Sequence, residues 1–257
     1  MATPCEAIFF PQPTPAPRTS ALSVTLAGND DEIRQCQRLR YQIFAGEMGA
    51  VLDTDIPEHD TDEFDAYSKH LLVRNTNTGE VVGTTRLLTD LNPAHGEGYY
   101  SQTEFDLGNI LRLPGRIMEV GRTCIHPYYR TGSTIAVLWQ GLARMMVMHD
   151  VDYLVGCASI SLDDGGANAA AIMPRLRERH WAPAHLRVTP KIPLPPAVTQ
   201  SLGKPLMPSL LKAYLRIGAQ ICGEAYWDDK FNVADVFILV NRDQLDGRYA
   251  RHFLQNS

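Results

Sequence analysis

The sequence predicts an α/β protein in which a mixed central sheet carries helices on its faces. Strand-like and helix-like segments alternate along the chain, the pattern expected of such a layered fold. Runs such as Tyr153-Leu154-Val155-Gly156-Cys157-Ala158 read as buried strands. Neither GxGxxG after the first strand nor GxxxxGK[ST] anywhere is present, which removes the dinucleotide-binding and P-loop versions of the class.

Each element has its own signal. Leu22, Val24 and Leu26 alternate as a strand does, and Gly28-Asn29-Asp30-Asp31 supplies a turn and a helix cap. Ile33, Cys36, Leu39, Ile43 and Phe44 then recur at helical spacing. An acidic loop follows. His70–Arg74 and Val81–Leu88 read as two strands joined through Asn75-Thr76-Asn77-Thr78-Gly79-Glu80 into a hairpin. After an irregular region around Asn92–Gly98, Arg116–Ile125 reads as a third strand that stops at His126-Pro127. Ser133–His149 is a helix, Tyr153–Ala158 a strand, and Ala167–Arg179 a helix interrupted at Pro174. Proline punctuates residues 190–208. Leu210, Leu211, Tyr214, Leu215, Ile217 and Ile221 outline an amphipathic helix, and Ala234–Val240 a last strand. There is no internal repeat.

Composition bounds the function. With 44% hydrophobic and 21% charged residues in 257, the chain is an ordinary soluble globular protein with room for one sizeable core. Residues 1–20 are expected to form a Pro-rich flexible tail, and residues 21–257 a single domain. That tail has no basic start and long apolar stretch, so it is not a signal peptide. No run reaches the ~18 apolar residues of a membrane span. Five scattered cysteines without a CxxC pair imply reduced thiols in the cytoplasm, and eight histidines without ligand spacing imply no metal. Charge is uneven. Asp53, Asp55, Glu58, Asp60, Asp62, Glu63 and Asp65 follow one another with no Lys or Arg among them, whereas Arg175, Arg177, Arg179, Arg187 and Lys191 stand against a single acid, Glu178. One stretch would attract a cation and the other an anionic partner, unless both are simply solvated loops. The acidic balance, −5, and the absence of a binding module argue against nucleic acid.

The chemistry concentrates in Glu119-Val120-Gly121-Arg122-Thr123-Cys124-Ile125-His126-Pro127-Tyr128-Tyr129-Arg130-Thr131-Gly132-Ser133. A strand that ends at a proline, a turn and a helix start bring free N–H groups and the positive helix end to one point, ready for an anion. Residues 119 and 122 would face opposite sides of a regular strand. Gly121 between them is a natural bulge position, and a bulge would bring Glu119 and Arg122 to one cleft and free an N–H there as an oxyanion donor. The plainer reading is a Glu–Arg pair in a strand with a glycine kink.

Strand, Pro, Tyr-Arg-x-Gly and helix resemble the acyl-donor site of the GNAT superfamily, which implies a GNAT-like acyl-CoA N-acyltransferase fold, here with a C-terminal helical elaboration. The usual Arg/Gln-x-x-Gly-x-Gly/Ala signature is incomplete in Arg130-Thr131-Gly132-Ser133-Thr134-Ile135. That favours a pantetheine carried on a protein over coenzyme A. Arg40-Tyr41-Gln42-Ile43-Phe44, Asp62-Glu63-Phe64-Asp65, Arg86 and Glu119-x-x-Arg122 are similar in order and type to the motifs of acyl-homoserine lactone synthases, although Met48-Gly49 stands where those enzymes carry tryptophan. Residues 30–253 most resemble the L-ornithine N-acyltransferases of bacterial ornithine-lipid synthesis, above all in 119–130, in Leu210–Ala219 and in Trp227–Asp235.

That resemblance implies transfer of a 3-hydroxyacyl group from acyl carrier protein to the α-amine of L-ornithine, giving lyso-ornithine lipid. No cofactor is implied beyond the phosphopantetheine thioester. On this reading Glu119 is the candidate base, directly or through water, with an orienting role as the alternative. An ion pair with Arg122 would keep it charged and lower its basicity. Asp62 and Asp65 are the candidate amine contacts. Arg122 and Arg86 are candidates for the substrate carboxylate, with Arg40 grouped among the substrate-binding residues. Arg130, Gly132 and Ser133 would hold the pantetheine phosphate. His126 reads as structural, and a covalent route through Cys124 is disfavoured. The basic stretch 175–191 is a candidate dock for acyl carrier protein. The helix after Pro208 reads as core packing, with the acyl channel or the inner membrane face as alternatives. The rivals are an acetyl-coenzyme A-dependent enzyme, an autoinducer synthase and a non-catalytic carrier-binding module.

Overall fold

The computed structural model describes residues 21–89, 98–197 and 204–245. The tail 1–20 and most of the region around Asn92–Gly98 therefore lie outside the described residues. Ten strands are present: β1 (Leu22–Leu26), β2 (Lys69–Asn75), β3 (Val81–Thr89), β4 (Phe105–Asp106), β5 (Ile117–Ile125), β6 (Tyr153–Ser161), β7 (Thr189–Pro190), β8 (Gln220–Ile221), β9 (Tyr226–Asp228) and β10 (Val233–Asn241). Four α-helices join them: α1 (Asp30–Tyr41), α2 (Gly132–Met148), α3 (Ala167–His180) and α4 (Ser209–Arg216). The main sheet runs β1-β2-β3-β5-β6-β10-β8, with β9 also on β10, while β4 and β7 pair apart from it. β5 and β6 are parallel and the other pairs antiparallel, so the sheet is mixed as the sequence predicts.

Both faces of this sheet are covered, which explains why its strands are apolar almost throughout. In β2, Leu71 and Val73 pack with Leu138, Leu142 and Met145 of α2, and Leu72 between them packs with Cys36 and Leu39 of α1. Strand periodicity of two thus feeds opposite layers. β10 does the same, giving Val236, Ile238 and Val240 to one core and Phe237 and Leu239 to the other. α1 starts as its signal requires, with the Asn29 side chain accepting from the Glu32 N–H at 3.0 Å. It then widens into a π-helical turn, Gln42–Glu47.

Three expectations change. α3 runs unbroken through Pro174, because that residue lies on the exposed face, where the carbonyl freed by its missing N–H can turn to water. The helix after Pro208 stops at Arg216, and Ile221 belongs to β8 instead. Gly218 takes φ +98°, its N–H reaches Leu215 and that of Ala219 reaches Tyr214, a Schellman closure that ends the helix. The bulge in β5 falls one residue later than expected. Thr84 pairs with Cys124 and Arg86 with Gly121, so Arg122 and Thr123 together oppose Thr85. Arg122, not Gly121, holds the left-handed backbone, at φ 50°.

Candidate active site

β5 and β6 are hydrogen-bonded only from Ile117↔Tyr153 to Glu119↔Val155, although each strand is nine residues long. Gly156 sits at the end of this short ladder. A Cβ there would stand 2.2 Å from the Val120 carbonyl oxygen, so only glycine permits the approach. Past that point the strands separate, and two cavities open along the cleft. The inner one, 170 Å³, takes its walls from Glu119, Gly121 and Arg122 of β5, Cys157 and Ser159 of β6, and Glu104, Asp228 and Asp235. The outer groove, 720 Å³, runs past Ile43, Ile135, Trp139, Ala213 and Ile217 to Arg130, Thr131 and Gly132. Phe44, Met48, Thr123 and Leu210 line both.

The bulge brings Glu119 and Arg122 to the same cavity, but no ion pair joins them among the described residues. Glu119 instead accepts the backbone N–H groups of Tyr100 at 2.7 Å and Ser101 at 2.8 Å. It is 2% exposed, and burial raises its pKa above the ordinary glutamate value against those hydrogen bonds. The expected lowering by Arg122 is therefore absent. Arg122 lies between the rings of Tyr100 and Phe231, 4.9 and 4.8 Å from their centroids. Its Nη2 is 3.3 Å from Asp62, and its Nε is 3.4 Å from Asp60 without hydrogen-bond geometry.

Arg122 is the outer member of a buried network of three guanidinium groups and three carboxylates. Arg40, 0% exposed, pairs with Asp60 at 2.8 Å and spans Asp65 with contacts of 2.9 and 2.7 Å. Arg86 adds contacts to Asp62 and, at 3.0 Å, to Asp65, and it faces the rings of Phe64 and Tyr100. Gln37 donates to the remaining side of Asp65 at 3.0 Å. Burial alone would raise the Asp65 pKa, yet the hydrogen bonds and charge of Arg40 and Arg86 hold it far below the carboxylate range. His70, beside Asp65, has its pKa lowered by burial. A direct amine contact at Asp65 does not fit this placement, because both its oxygens are occupied. Arg40, Asp65 and Arg86 line neither cavity. They stand behind Arg122, the one guanidinium among the described residues that lines the inner cavity.

The acids that face the inner cavity are others. Glu104, Asp228 and Asp235 bring one carboxylate oxygen each within 4.8 Å of one another. Glu104 is 3% exposed and its Oε2 has no hydrogen-bond partner. Burial and the neighbouring acids push Glu104 well up and Asp235 up to about 6. Sequence reasoning missed all three. Asp235 had a signal, a lone charge inside the apolar run Val233–Val240. Glu104 had none. Cys124 and Cys157 are pushed upward by burial, so neither thiol supplies a ready nucleophile.

At the outer end, Thr131 caps α2, its hydroxyl 3.4 Å from the Thr134 N–H and 2.7 Å from the Ser133 hydroxyl. The first-turn amides of Gly132 and Ser133 have no intrahelical acceptor. Arg130 reaches the groove but is already held by Glu47, through two contacts of 2.6 Å. Lys212 and Arg216 are exposed on the same groove. The basic stretch 175–191 is elsewhere; Arg177 pairs with Glu224, and none of its bases lines the groove. α4 buries Leu211 and Tyr214 in the core, as expected, and turns Leu210 and Ala213 to the groove.

Comparison with known proteins bears on the family and the fold. Residues 39–140 match the acetyltransferase (GNAT) domain. The chain is 34% identical over 252 residues to the L-ornithine N(alpha)-acyltransferase of Agrobacterium fabrum, covering 92% of this chain and 86% of the relative. To the enzyme of the same name from Brucella abortus it is 33% identical, covering 92% and 90%. Among solved structures, the AHL synthase LasI aligns with a TM-score of 0.53 at 15% identity, over 92% of this chain and 96% of that one. FeeM, an N-acyl amino acid synthase from uncultured soil microbes, gives 0.53 at 12%, over 88% and 95%. At such identities the likeness concerns the fold.

Proposed function

Because this chain belongs to the L-ornithine N(alpha)-acyltransferase family and has the GNAT fold, we infer that it transfers a 3-hydroxyacyl group from acyl carrier protein to the α-amine of L-ornithine, forming lyso-ornithine lipid. The observation that carries the reading is the meeting of two unlike cavities at Thr123 and Leu210. The inner one is small and charged; at 170 Å³ it lies below the roughly 300–1,000 Å³ of drug-sized sites and suits an amino acid. The outer one, at 720 Å³, is far larger, with Ile43, Ile135, Trp139, Ala213 and Ile217 on its walls and bases at its rim, as an acyl-pantetheine arm requires.

The neutral α-amine attacks the thioester carbonyl, a C–N bond forms, the C–S bond breaks, and the thiol leaves on the pantetheine. Glu119 takes the amine proton, directly or through water, and its raised pKa suits a base. Arg122 meets the substrate carboxylate, while Asp60, Asp62 and the Arg40–Asp65–Arg86 group fix its position. Amides beside the β5 bulge face the developing oxyanion. Ser133 and the first-turn amides of α2 hold the pantetheine phosphate, with Arg130 released from Glu47 to join them. Arg130, Lys212 and Arg216 offer the acidic carrier protein a basic rim at the groove. The setting is the cytoplasm, with peripheral contact at the inner membrane face where the product must go. No described helix is long and apolar enough to cross a membrane.

The test mixes purified protein with 3-hydroxyacyl carrier protein and single amino acids, and seeks the N-acyl product by mass. N-acyl-ornithine is expected. No product with ornithine, or product from acetyl-coenzyme A alone, would overturn the reading.

A further inference from the structure

The inner cavity gathers more carboxyl groups than an attacking amine can use. The α-amine must lose its proton before it reacts, and three gathered carboxylates oppose that loss by stabilising the ammonium form. Glu119, with one charge already shared between two backbone amides, is suited to the reacting amine. Glu104, Asp228 and Asp235 are suited to a cation that stays a cation. They come from a loop, β9 and β10, on the walls facing β5. Asp235 already accepts from the Ser159 hydroxyl at 2.6 Å, and Asp228 from the Phe231 N–H at 3.0 Å. Glu104 Oε2 is buried and unpartnered. A buried carboxylate oxygen left without a donor is costly, and an entering ammonium with three N–H groups would satisfy it.

We propose that Glu104, Asp228 and Asp235 form the site that reads the side-chain ammonium of a diamino acid, and that they make the enzyme reject amino acids with neutral side chains. The proposal rests on the ornithine reading above and adds what that reading leaves open, namely which residues recognise the second amine. Rejection follows from the same chemistry. An acceptor lacking the distal ammonium leaves the three acids crowded together without a counter-ion, and sites built for a polar group discriminate strongly against its absence. Arg122, on the same cavity wall, pairs with Asp60 and Asp62; its charge works to lower Asp235, yet burial and Asp228 still leave that acid raised.

The experiment compares ornithine with norvaline, the same side chain without its amine. The full-length protein, Glu104→Gln and Asp228→Asn are assayed with 3-hydroxyacyl carrier protein, and each acceptor is titrated calorimetrically without donor. The wild type is expected to favour ornithine in kcat/KM by about a hundredfold or more. In both variants that ratio should fall by about tenfold or more, mainly through KM for ornithine, and calorimetric ornithine affinity should fall with it. Thermal melts separate this from misfolding, since removing one of three like charges should hold or raise Tm. An unchanged ratio in both variants overturns the proposal. So does tight Mg²⁺ or Ca²⁺ binding that Glu104→Gln abolishes and ornithine binding requires, which would make the trio a metal site. If no amine is acylated but ornithine binding is lost in Glu104→Gln, the inference about binding stands and the activity reading fails. Acylation of ornithine with an unmoved ratio means the reverse.

Discussion

Asp65→Asn is the most informative single change, because it removes one charge and almost no volume from a closed network. Asp65 accepts from Arg40 at 2.9 and 2.7 Å, from Arg86 at 3.0 Å and from Gln37 at 3.0 Å, at 9% side-chain exposure. Asparagine keeps one acceptor oxygen but turns an NH₂ toward guanidinium donors, and leaves the Arg40, Arg86 and Arg122 charges facing two acids instead of three. Breaking a buried pair from one side costs about 3–5 kcal/mol. At about 2–4 °C per kcal/mol for a large domain, Tm should fall by roughly 6–20 °C. Urea unfolding at pH 7 measures the loss directly. The pH dependence gives a second reading. The folded Asp65 pKa is depressed, so its contribution is present above the unfolded value of about 3.9 and is lost as pH falls through the folded one. The wild type should therefore lose stability more steeply below about pH 4 than the variant. A loss under about 1 kcal/mol with unchanged acid sensitivity would refute the argument that this network is held by charge.

Glu119→Gln should lower kcat by about 10²- to 10⁴-fold. It should also erase the acid limb of the wild-type pH–rate profile, which lies above the ordinary glutamate range because burial raises this group; a retained limb would assign the proton to another group. Asp235→Asn should flatten a stability decline, since a carboxylate raised to about 6 holds a proton the unfolded chain releases near pH 4, so wild-type stability falls as pH rises between these values. Urea midpoints at pH 4, 5 and 7 follow it, and an equal decline in the variant would exclude Asp235 as the source. Arg130→Ala should raise KM for the acyl carrier substrate about tenfold, with unchanged KM for ornithine. Its pair with Glu47 is 44% and 41% exposed, so unfolding free energy should move by less than about 1 kcal/mol.

The sheet was legible in the sequence because its strands are buried on both faces and bounded by turn residues. Val81–Thr89 and Val233–Asn241 needed no tertiary information. Ile221 misled because it continues a helical period past Gly218, where a left-handed residue overrides periodicity. The bulge misled for a related reason. Glycine is the easier residue to strain, yet the chain places the left-handed turn at Arg122, whose guanidinium is held by Asp60, Asp62 and two aromatic rings. Local propensity cannot register such long-range contacts. Within the acidic loop, Asp60, Asp62 and Asp65 face Arg40, Arg86 and Arg122, pairings that lie 20 residues or more apart along the chain. The uncompensated acids came from segments far apart along the chain, with only Asp235 marked by its surroundings.

Gly156 has a mechanical meaning beyond the space it spares. It sits where β5 and β6 last touch, so it acts as the fulcrum of a wedge, one arm of which, parted from β6 but backed by β3, runs from Glu119 to Ile125. At about 3.3 Å per residue that arm is about 20 Å long, and a tilt of about 3° at the fulcrum moves its tip by about 1 Å. A misplacement of that size can cost about a hundredfold in rate. The width of the cleft is thus set by a residue with no side chain, at the end where the two strands still pair.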